Sequence, residues 1–290
     1  MRLFLVLVTC SVMLQCREAS NHSKFDLQGH RGCRGLYPEN TIPAFLKAVD
    51  LGVNTLEMDL AVTADSQLLV SHEPYMSAEI CLDSTGTEIA DSAQYQYNIY
   101  QMTYEEIEQF DCGSKPHPRF PDQVKMTVSK PLFLSVIDVI QTQRPDARVN
   151  YNIEIKSRPD GDEVYHPSPQ AFGDLVYQTI EGVIDWKYVT IQSFDFRVLQ
   201  YFHETYPDVR LALLIENELP IQTNLDSLGF KPNIYSCWYK LLDEKAIGEL
   251  QAQDIAVIPW TVNEPEDMKQ LVDWGVDGLI TDYPDRFNVY

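Results

Sequence analysis

Two short runs of the sequence place charged side chains two residues apart in segments that are typical of β-strands. LEMDL carries Glu57 and Asp59, and NIEIK carries Glu154 and Lys156. Side chains two apart on a strand point to the same face, so the charged residues of each run face one way and the apolar residues between them face the other. Charges on an inner strand face are costly unless they are paired or bind a metal. The spacing therefore predicts a cluster of charged side chains with a chemical role.

Three carboxylates brought together repel one another strongly. Two unit charges about 4 Å apart repel by about 4 kcal/mol at an effective dielectric constant near 20. A divalent cation removes this repulsion, and the all-oxygen ligand set of Glu57, Asp59 and Glu154 predicts Mg2+ or Ca2+ instead of zinc. The alternative is that Arg31 or Lys156 neutralises the carboxylates of LEMDL without a metal.

Two histidines end the predicted strands on either side of the LEMDL strand. His30 closes FDLQGH and His72 closes QLLVSH. A single histidine in such a place is more often structural, but two beside the same carboxylates favour general acid–base catalysis, because imidazole titrates near neutral pH. Arg31 and Lys156 supply the cations that hold a phosphate group.

The strands and helices of the chain must position these side chains. Predicted strands lie at FDLQGH, NTLEMDLAVT, QLLVSH, RVNYNIEIK, YVTIQSF, RLALLIE, PNIYSC, DIAVIPWTVN and VDGLITDYP, with amphipathic helical segments between most of them. About eight strands with intervening helices is the count expected of an α/β fold of the (β/α)8 TIM-barrel type. A doubly wound open sheet is the alternative. In a barrel, residues at the carboxyl ends of the strands converge on the mouth, where barrel enzymes have their active sites.

Residues 75–130 interrupt the alternation of strands and helices. This segment is polar and rich in Tyr and Pro, and its one predicted helix is a short one near TYEEIEQF. A structureless segment of this length is unusual inside a compact domain, so we predict a small subdomain inserted after the third strand of a barrel domain that spans residues 25–290.

Four cysteines follow the first twenty residues, and their spacing matches no zinc template. Cys81 and Cys112 lie in the same irregular segment, so in an oxidising compartment they are expected to form a disulfide. The alternative is four separate, partly buried thiols.

Residues 1–20 form a segment apart from the fold. MRLFLVLVTCSVMLQC has one positive residue and then an apolar run that is too short to span a membrane, which predicts a secretory signal peptide. Cys16 stands where a lipidated cysteine would, although Met13, Leu14 and Gln15 fit the usual lipobox poorly. We therefore expect an exported protein, either periplasmic or anchored as a lipoprotein, with no integral membrane span.

The composition restricts the partners of the chain. Its formal net charge of −21 repels nucleic acids and anionic bilayers, so no nucleic-acid partner is expected. An anionic substrate therefore requires a local positive centre. The hydrophobic content of 44% is typical of a globular protein with a core. The oligomeric state is not predictable from the sequence.

Six segments together resemble the glycerophosphodiester phosphodiesterase family in its bacterial, exported form. In chain order they are GHRGCRGLYPENTIPAF, LEMDLAVTADSQLLVSHEP, NIEIK, IQSFD, IPWTVN and GVDGLITDYPD. The resemblance implies a distorted barrel with an insertion after the third strand. It also implies metal-dependent hydrolysis of a small-molecule glycerophosphodiester to sn-glycerol 3-phosphate and an alcohol.

The resemblance also assigns roles to individual residues. Glu57, Asp59 and Glu154 would hold one divalent cation, and His30 and His72 would be the acid–base pair, with His30 favoured as the base. It assigns Arg31 and Lys156 to phosphate binding and Glu39 to steadying the first loop. It also places Gln192, Trp260 and Asn263 at the mouth of the barrel.

The sequence departs from the family pattern at two places. Glu73 stands after His72 where the family usually has Asp, and Cys33 replaces a small alanine. Two alternative functions remain open. One is a phospholipase D-like or lysophospholipid-directed phosphodiesterase on the same barrel, and the other is a non-catalytic phosphodiester-binding protein.

Overall fold

A computed structural model describes residues 25–287. Its strands are β1 (Asp26–Gly29), β2 (Thr55–Val62), β3 (Leu68–Val70), β4 (Asn150–Ile155), β5 (Val189–Ser193), β6 (Arg210–Ile215), β7 (Ile234–Cys237), β8 (Ala256–Val257) and β9 (Gly278–Thr281). Its α-helices are α1 (Ile42–Asp50), α2 (Tyr104–Ile107), α3 (Phe133–Gln143), α4 (Pro169–Ile180), α5 (Phe196–Thr205), α6 (Ile221–Leu228), α7 (Glu244–Gln251) and α8 (Pro265–Asp273).

The parallel strands form a barrel in the order β8-β7-β6-β5-β4-β2-β1-β9, and β3 pairs antiparallel with β2 outside this path. Three backbone hydrogen bonds close the barrel between β9 and the segment that begins at β8. Asp277 donates to the carbonyl of Val257, Ile280 to that of Pro259, and Val262 to that of Ile280, at 2.9–3.0 Å. The predicted (β/α)8 barrel is confirmed.

Alternation along β2 separates the core from the site. Leu56, Met58 and Leu60 are fully buried in the main hydrophobic cluster, which the helices share, whereas Glu57 and Asp59 point into the barrel. A polar network fills the interior beneath these carboxylates. The Asn152 amide donates to Gln28 at 2.8 Å and to Gln192 at 3.0 Å.

Local signals explain where several elements begin and end. The Thr41 hydroxyl accepts a hydrogen bond from the backbone of Ala44 and caps α1, and Gly52 at φ 82° follows its end. The predicted strand DIAVIPWTVN is wrong in length, since only Ala256–Val257 is a strand and Pro259 has no N–H to donate. Helix α6 was not predicted, because IQTNLDSL is largely polar, although Gly229 at φ 84° marks its end.

The segment between β3 and α3 has a hydrophobic cluster of its own. Met76, Ile99, Ile107 and Phe110 pack there against the β2–β3 hairpin. Its one α-helix among the described residues is the four-residue α2. Cys81 and Cys112 form a disulfide within this cluster, as the sequence favoured.

We expect the double substitution C81S/C112S to lower the free energy of unfolding by about 2–4 kcal/mol, because the disulfide closes a long loop in the unfolded chain. The two cysteines are 31 residues apart. Guanidinium denaturation followed by circular dichroism measures the effect. Reduction of the wild type should reproduce the loss and leave the double variant unchanged, and equal midpoints for all forms would contradict the expectation.

Two observations concern the predicted export and membrane association of the chain. No helix in residues 25–287 is long and apolar enough to cross a membrane. The predicted signal peptide and the predicted lipid attachment at Cys16 lie outside the described residues, so both stay predictions.

Candidate active site

The three predicted carboxylates lie together inside the mouth of the barrel. Glu57 and Asp59 come from β2 and Glu154 comes from β4, where the strand register pairs Asp59 directly with Glu154. One oxygen of each carboxylate lies within 4.8 Å of the others, and all three side chains are buried. Two adjacent parallel strands are therefore sufficient to build the cluster.

Polar partners fix the orientation of the carboxylates. The backbone N–H of Arg31 and the amide of Gln192 each donate to Glu57 at 2.8 Å, one to each oxygen. The Asn40 amide donates to Asp59 at 2.8 Å. The Lys156 ammonium lies 2.9 Å from a Glu154 oxygen and 3.7 Å from Asp59.

The cluster fits a hard divalent cation. The Oδ1 atom of Asp59 is buried and has no hydrogen-bond partner, which leaves a carboxylate oxygen available at the centre. Burial raises the pKa of Glu57 well above its usual range, and the charge of Asp59 adds to the effect. Burial likewise raises the pKa of Glu154, although Lys156 opposes it. An all-oxygen set of this kind suits Mg2+ or Ca2+.

His30 is held by a carboxylate that follows the last strand. Its Nδ1 lies 2.6 Å from an Asp282 oxygen, and its Nε2 lies 3.9 Å from a Glu57 oxygen. Arg34 and Asn263 also donate to Asp282. The hydrogen bond assigns the Nδ1 proton to the Asp282 contact and leaves Nε2 directed to the carboxylate cluster.

Burial, with the charge of Arg34, lowers the pKa of His30 to about 4, against the opposing effect of Asp282. A neutral ring with a free Nε2 is able to accept a proton.

We expect Asp282→Asn to lower kcat by about 10- to 100-fold, the usual effect of losing the carboxylate that orients a functional histidine. The amide keeps the size of the side chain but no longer stabilises a protonated His30. The pH profile of kcat distinguishes positioning from folding. The part of the profile that reports the titration of His30 should shift, whereas a loss of folded enzyme lowers kcat equally at every pH. An unchanged profile would contradict this role.

His72 has a carboxylate neighbour of its own. Its Nδ1 lies 2.7 Å from a Glu73 oxygen. The Ser71 hydroxyl donates to the Glu73 carbonyl at 2.6 Å and accepts from the buried Lys130 at 2.9 Å. Burial, followed by the charge of Lys156, lowers the pKa of His72, while Glu73 opposes this shift. Glu73 therefore reaches the histidine in the place where the family usually has the shorter Asp.

The first loop folds tightly around Arg31. The guanidinium of Arg31 donates to Glu39 at 2.8 Å and lies 3.4 Å from Asp59. Arg31 and Gly32 both have positive φ, 50° and 84°. A Cβ atom at Gly32 would lie 2.7 Å from the backbone of Ala44, so only glycine fits there. Glu39 joins Arg31 to Arg34, with its two oxygens 2.8 Å and 3.7 Å from the two guanidinium groups.

Two cavities open from the carboxylate cluster. The inner cavity, of about 280 Å³, is lined by His30, Arg31, Gln192 and Trp260 among others. The outer cavity, of about 440 Å³, extends under the segment between β3 and α3 and includes Lys156 in its wall. The two cavities share His72, Glu154 and Phe194. The site thus has two arms that meet at the cluster, one on the His30 side and one on the far side of His72.

Sequence reasoning missed three side chains that organise the site. Asp282 supports His30, Arg34 donates to Asp282, and Asn40 donates to Asp59. A signal for Asp282 was present, because the residue directly follows β9 and so belongs to the carboxyl-end face of the barrel. Asn263, which was expected to line the mouth, donates to Asp282 behind His30.

Known proteins share this sequence pattern and fold. The model of the glycerophosphoryl diester phosphodiesterase family matches residues 30–286. A glycerophosphodiester phosphodiesterase from Bacillus altitudinis is 28% identical over 263 residues, which cover 89% of this chain and 94% of that protein.

Solved structures show the same fold. A candidate glycerophosphoryl diester phosphodiesterase from Silicibacter pomeroyi has a TM-score of 0.81 at 26% identity, covering 91% of this chain and 92% of that one. A phosphodiesterase from Oleispira antarctica, solved in complex with the product sn-glycerol-3-phosphate, has a TM-score of 0.71 at 19% identity. The match covers 90% of this chain and 94% of that one, and it demonstrates a shared fold.

Proposed function

Because the chain belongs to the glycerophosphoryl diester phosphodiesterase family, we propose that it hydrolyses glycerophosphodiesters to sn-glycerol 3-phosphate and an alcohol with the help of one divalent cation. The observation that carries the proposal is the buried trio of Glu57, Asp59 and Glu154, with a histidine on either side of it. A binding protein needs no pair of proton carriers, so the two histidines favour catalysis.

The carboxylates Glu57, Asp59 and Glu154 would hold the cation, which when bound stabilises negative charge on the phosphoryl oxygens. Arg31 and Lys156 line the cavities beside this cluster and would add positive charge near the phosphate. Both cations are held by carboxylates, Arg31 by Glu39 and Lys156 by Glu154, so their positions are fixed before a substrate binds.

His30 would act as the base in the first step. It removes the proton of the glycerol hydroxyl as that oxygen forms a bond to phosphorus, while the bond from phosphorus to the alcohol oxygen breaks and His72 gives a proton to the departing alcohol. This step leaves a cyclic phosphate. Water then forms a bond to phosphorus as His72 takes its proton, while the bond from phosphorus to the former hydroxyl oxygen breaks and His30 returns a proton to that oxygen, so both histidines regain their starting protonation states. Asp282 and Glu73 hold the Nδ1 atoms during these transfers.

An activity assay tests the proposal directly. The purified chain is incubated with glycerophosphocholine, glycerophosphoethanolamine and lysophosphatidylcholine, in Mg2+, in Ca2+ or in EDTA. We expect turnover of the water-soluble diesters that is lost in EDTA. Absence of turnover under every condition would favour the non-catalytic binding protein, and turnover in EDTA would remove the proposed role of the carboxylates.

A second candidate function is hydrolysis of lysophospholipids, and an apolar rim supports it. Five large side chains on segments that follow β3, β4, β5, β6 and β7 are 37–55% exposed: Tyr95, Val164, Phe194, Leu219 and Trp238. The last four of these segments leave the carboxyl ends of parallel barrel strands, the end at which the site opens, and the segment that carries Tyr95 lines the outer cavity. An acyl chain could lie against such a rim. Higher kcat/KM for lysophosphatidylcholine than for glycerophosphocholine would make this the main activity.

We also infer that the chain acts outside the cytoplasm. The apolar run near its start supports export, and the Cys81–Cys112 disulfide is typical of an oxidising compartment. Fractionation of cells that express the full chain, with detection in the periplasmic, membrane and cytoplasmic fractions, tests this inference.

A further inference from the structure

The outer cavity has an aromatic wall, which we call the aromatic cavity. Its rings are Tyr75 and Tyr95 from the segment after β3, Tyr165 from the loop after β4, and Phe194 from the loop after β5. Tyr75 packs edge-on against both other tyrosines, with ring centroids 4.8 Å from Tyr95 and 6.5 Å from Tyr165. Three separate segments of the chain thus bring aromatic rings together at one wall.

The aromatic cavity lies on the leaving-alcohol side of the reaction. It borders His72 and Glu154 but not His30, which lines the inner cavity. If His30 activates the glycerol hydroxyl, glycerol occupies the inner cavity and the other arm of the diester extends past His72. That arm is the alcohol, and it enters the aromatic cavity.

The charges around the aromatic cavity suit a cation. The carboxylate of Glu73 lies in its wall, where one of its oxygens contacts His72, and it is close enough to contribute, after burial, to the raised pKa of Tyr75. The two cations in the wall are already paired, Lys156 with Glu154 at 2.9 Å and Arg158 with Asp160 at 3.0 Å. The chain as a whole carries a net charge of −21, which attracts positive ligands.

The segments that carry the rings are tied to one another. The Asn98 amide, from the segment after β3, donates to the Val164 carbonyl beside Tyr165 at 2.7 Å. Arg197 joins the loop after β4 to the loop after β5. It donates to Asp162 of the first loop at 2.7 Å and to Asp195 of the second at 2.7 Å. The wall is therefore held in place without a ligand, which favours selective binding.

We propose that the aromatic cavity binds an ammonium group on the leaving alcohol, so that the enzyme prefers diesters of amino alcohols such as choline and ethanolamine over neutral alcohols of the same shape. This inference rests on the proposed function. Its physical basis is the attraction of a cation to the faces of aromatic rings, strengthened by a nearby carboxylate and by partial removal of water.

Two substrates of the same shape separate the effect of the ammonium charge from the effect of size. Glycerophosphocholine is compared with glycerophospho-3,3-dimethylbutanol, in which carbon replaces the choline nitrogen and the shape is unchanged. We expect wild-type kcat/KM to favour the choline diester by about five- to thirtyfold. In Tyr95→Leu and Tyr165→Leu the preference should fall to about threefold or less, because kcat/KM for the choline diester falls further than kcat/KM for the neutral diester, and Tyr95→Phe should keep the preference.

Tyr188→Leu is the matched control. Tyr188 is an exposed tyrosine at the amino end of β5, on the side of the barrel opposite the mouth, so its loss should leave the preference intact. Tyr95 is 53% exposed, so its replacement leaves the fold in place, and turnover of the neutral diester verifies this. Equal kcat/KM for the two diesters in the wild type, or an unchanged preference in both leucine variants, would overturn the proposal.

Titration separates this inference from the proposed function. If neither diester is turned over, the proposed function fails, and the cavity is then judged by calorimetry with phosphocholine and 3,3-dimethylbutyl phosphate. Tighter binding of phosphocholine by about fivefold or more, lost in Tyr165→Leu, supports the ammonium site. Equal dissociation constants overturn it.

Discussion

Replacement of His30 or His72 by alanine is expected to lower kcat by about 10²- to 10⁴-fold, the range over which a positioned acid or base accelerates proton transfer. Both rings border the cavity beside the carboxylate cluster, and each is oriented through Nδ1 by a carboxylate, Asp282 for His30 and Glu73 for His72. Steady-state kinetics on glycerophosphocholine measures the loss. His203→Ala is the matched control, since His203 stacks on Phe230 away from the site, and its kcat should stay near the wild-type value.

The leaving alcohol distinguishes the two histidines. A p-nitrophenyl diester of glycerol phosphate releases an anion that needs no proton, so an enzyme without its general acid should recover most of its rate on this substrate. We expect His72→Ala to recover and His30→Ala to remain slow. Recovery of His30→Ala alone would exchange the two roles, and near-normal rates of either variant on glycerophosphocholine would reduce that histidine to a structural residue.

The second large effect is expected at Asp59. In Asp59→Asn one negative charge of the cluster is lost, so the cation should bind weakly and kcat/KM should fall on the order of 10³-fold, equivalent to several kcal/mol of lost charge stabilisation. The substitution preserves size, and the partner Asn40 can still approach the new amide. Kinetics at increasing Mg2+ and Ca2+ concentration measures the effect, because part of the loss should be recovered at high metal concentration.

Asp174→Asn is the control for the second effect. Asp174 lies on α4, where it accepts hydrogen bonds from Tyr201 and Tyr206 at 2.6 Å, far from the mouth of the barrel. This variant should keep wild-type kcat/KM and metal dependence. A metal dependence that is the same in Asp59→Asn as in the wild type would contradict the assignment of the cluster.

Much of the fold and of the carboxylate cluster is predictable from local patterns. The alternation in LEMDL and NIEIK places Glu57, Asp59 and Glu154 on inner strand faces, because side-chain direction along a strand follows directly from position. The barrel follows from the sequence of strands and helices, and the convergence of strand ends follows from the barrel. These inferences need no knowledge of distant contacts.

The remaining features depend on contacts between distant parts of the chain. Asp282 reaches His30 across 252 positions of sequence, and Asn40 reaches Asp59 only because the first loop turns back at positive φ. The aromatic cavity likewise depends on how the segment after β3 packs on the barrel. No periodic pattern in that segment indicates that Tyr75 packs against both Tyr95 and Tyr165. Local patterns could predict neither the supports of the histidines nor the outer wall of the site.

A metal titration tests the central claim most directly. The full chain is stripped with EDTA, dialysed, and titrated by calorimetry with Mg2+, Ca2+ and Mn2+, with turnover of glycerophosphocholine followed in the same samples. We predict one divalent ion bound per chain and recovery of turnover as that ion binds, with Asp59→Asn requiring a much higher metal concentration for both. The contrary result is full turnover by a protein sample in which elemental analysis finds no bound metal. It would contradict the claim that Glu57, Asp59 and Glu154 hold a catalytic cation.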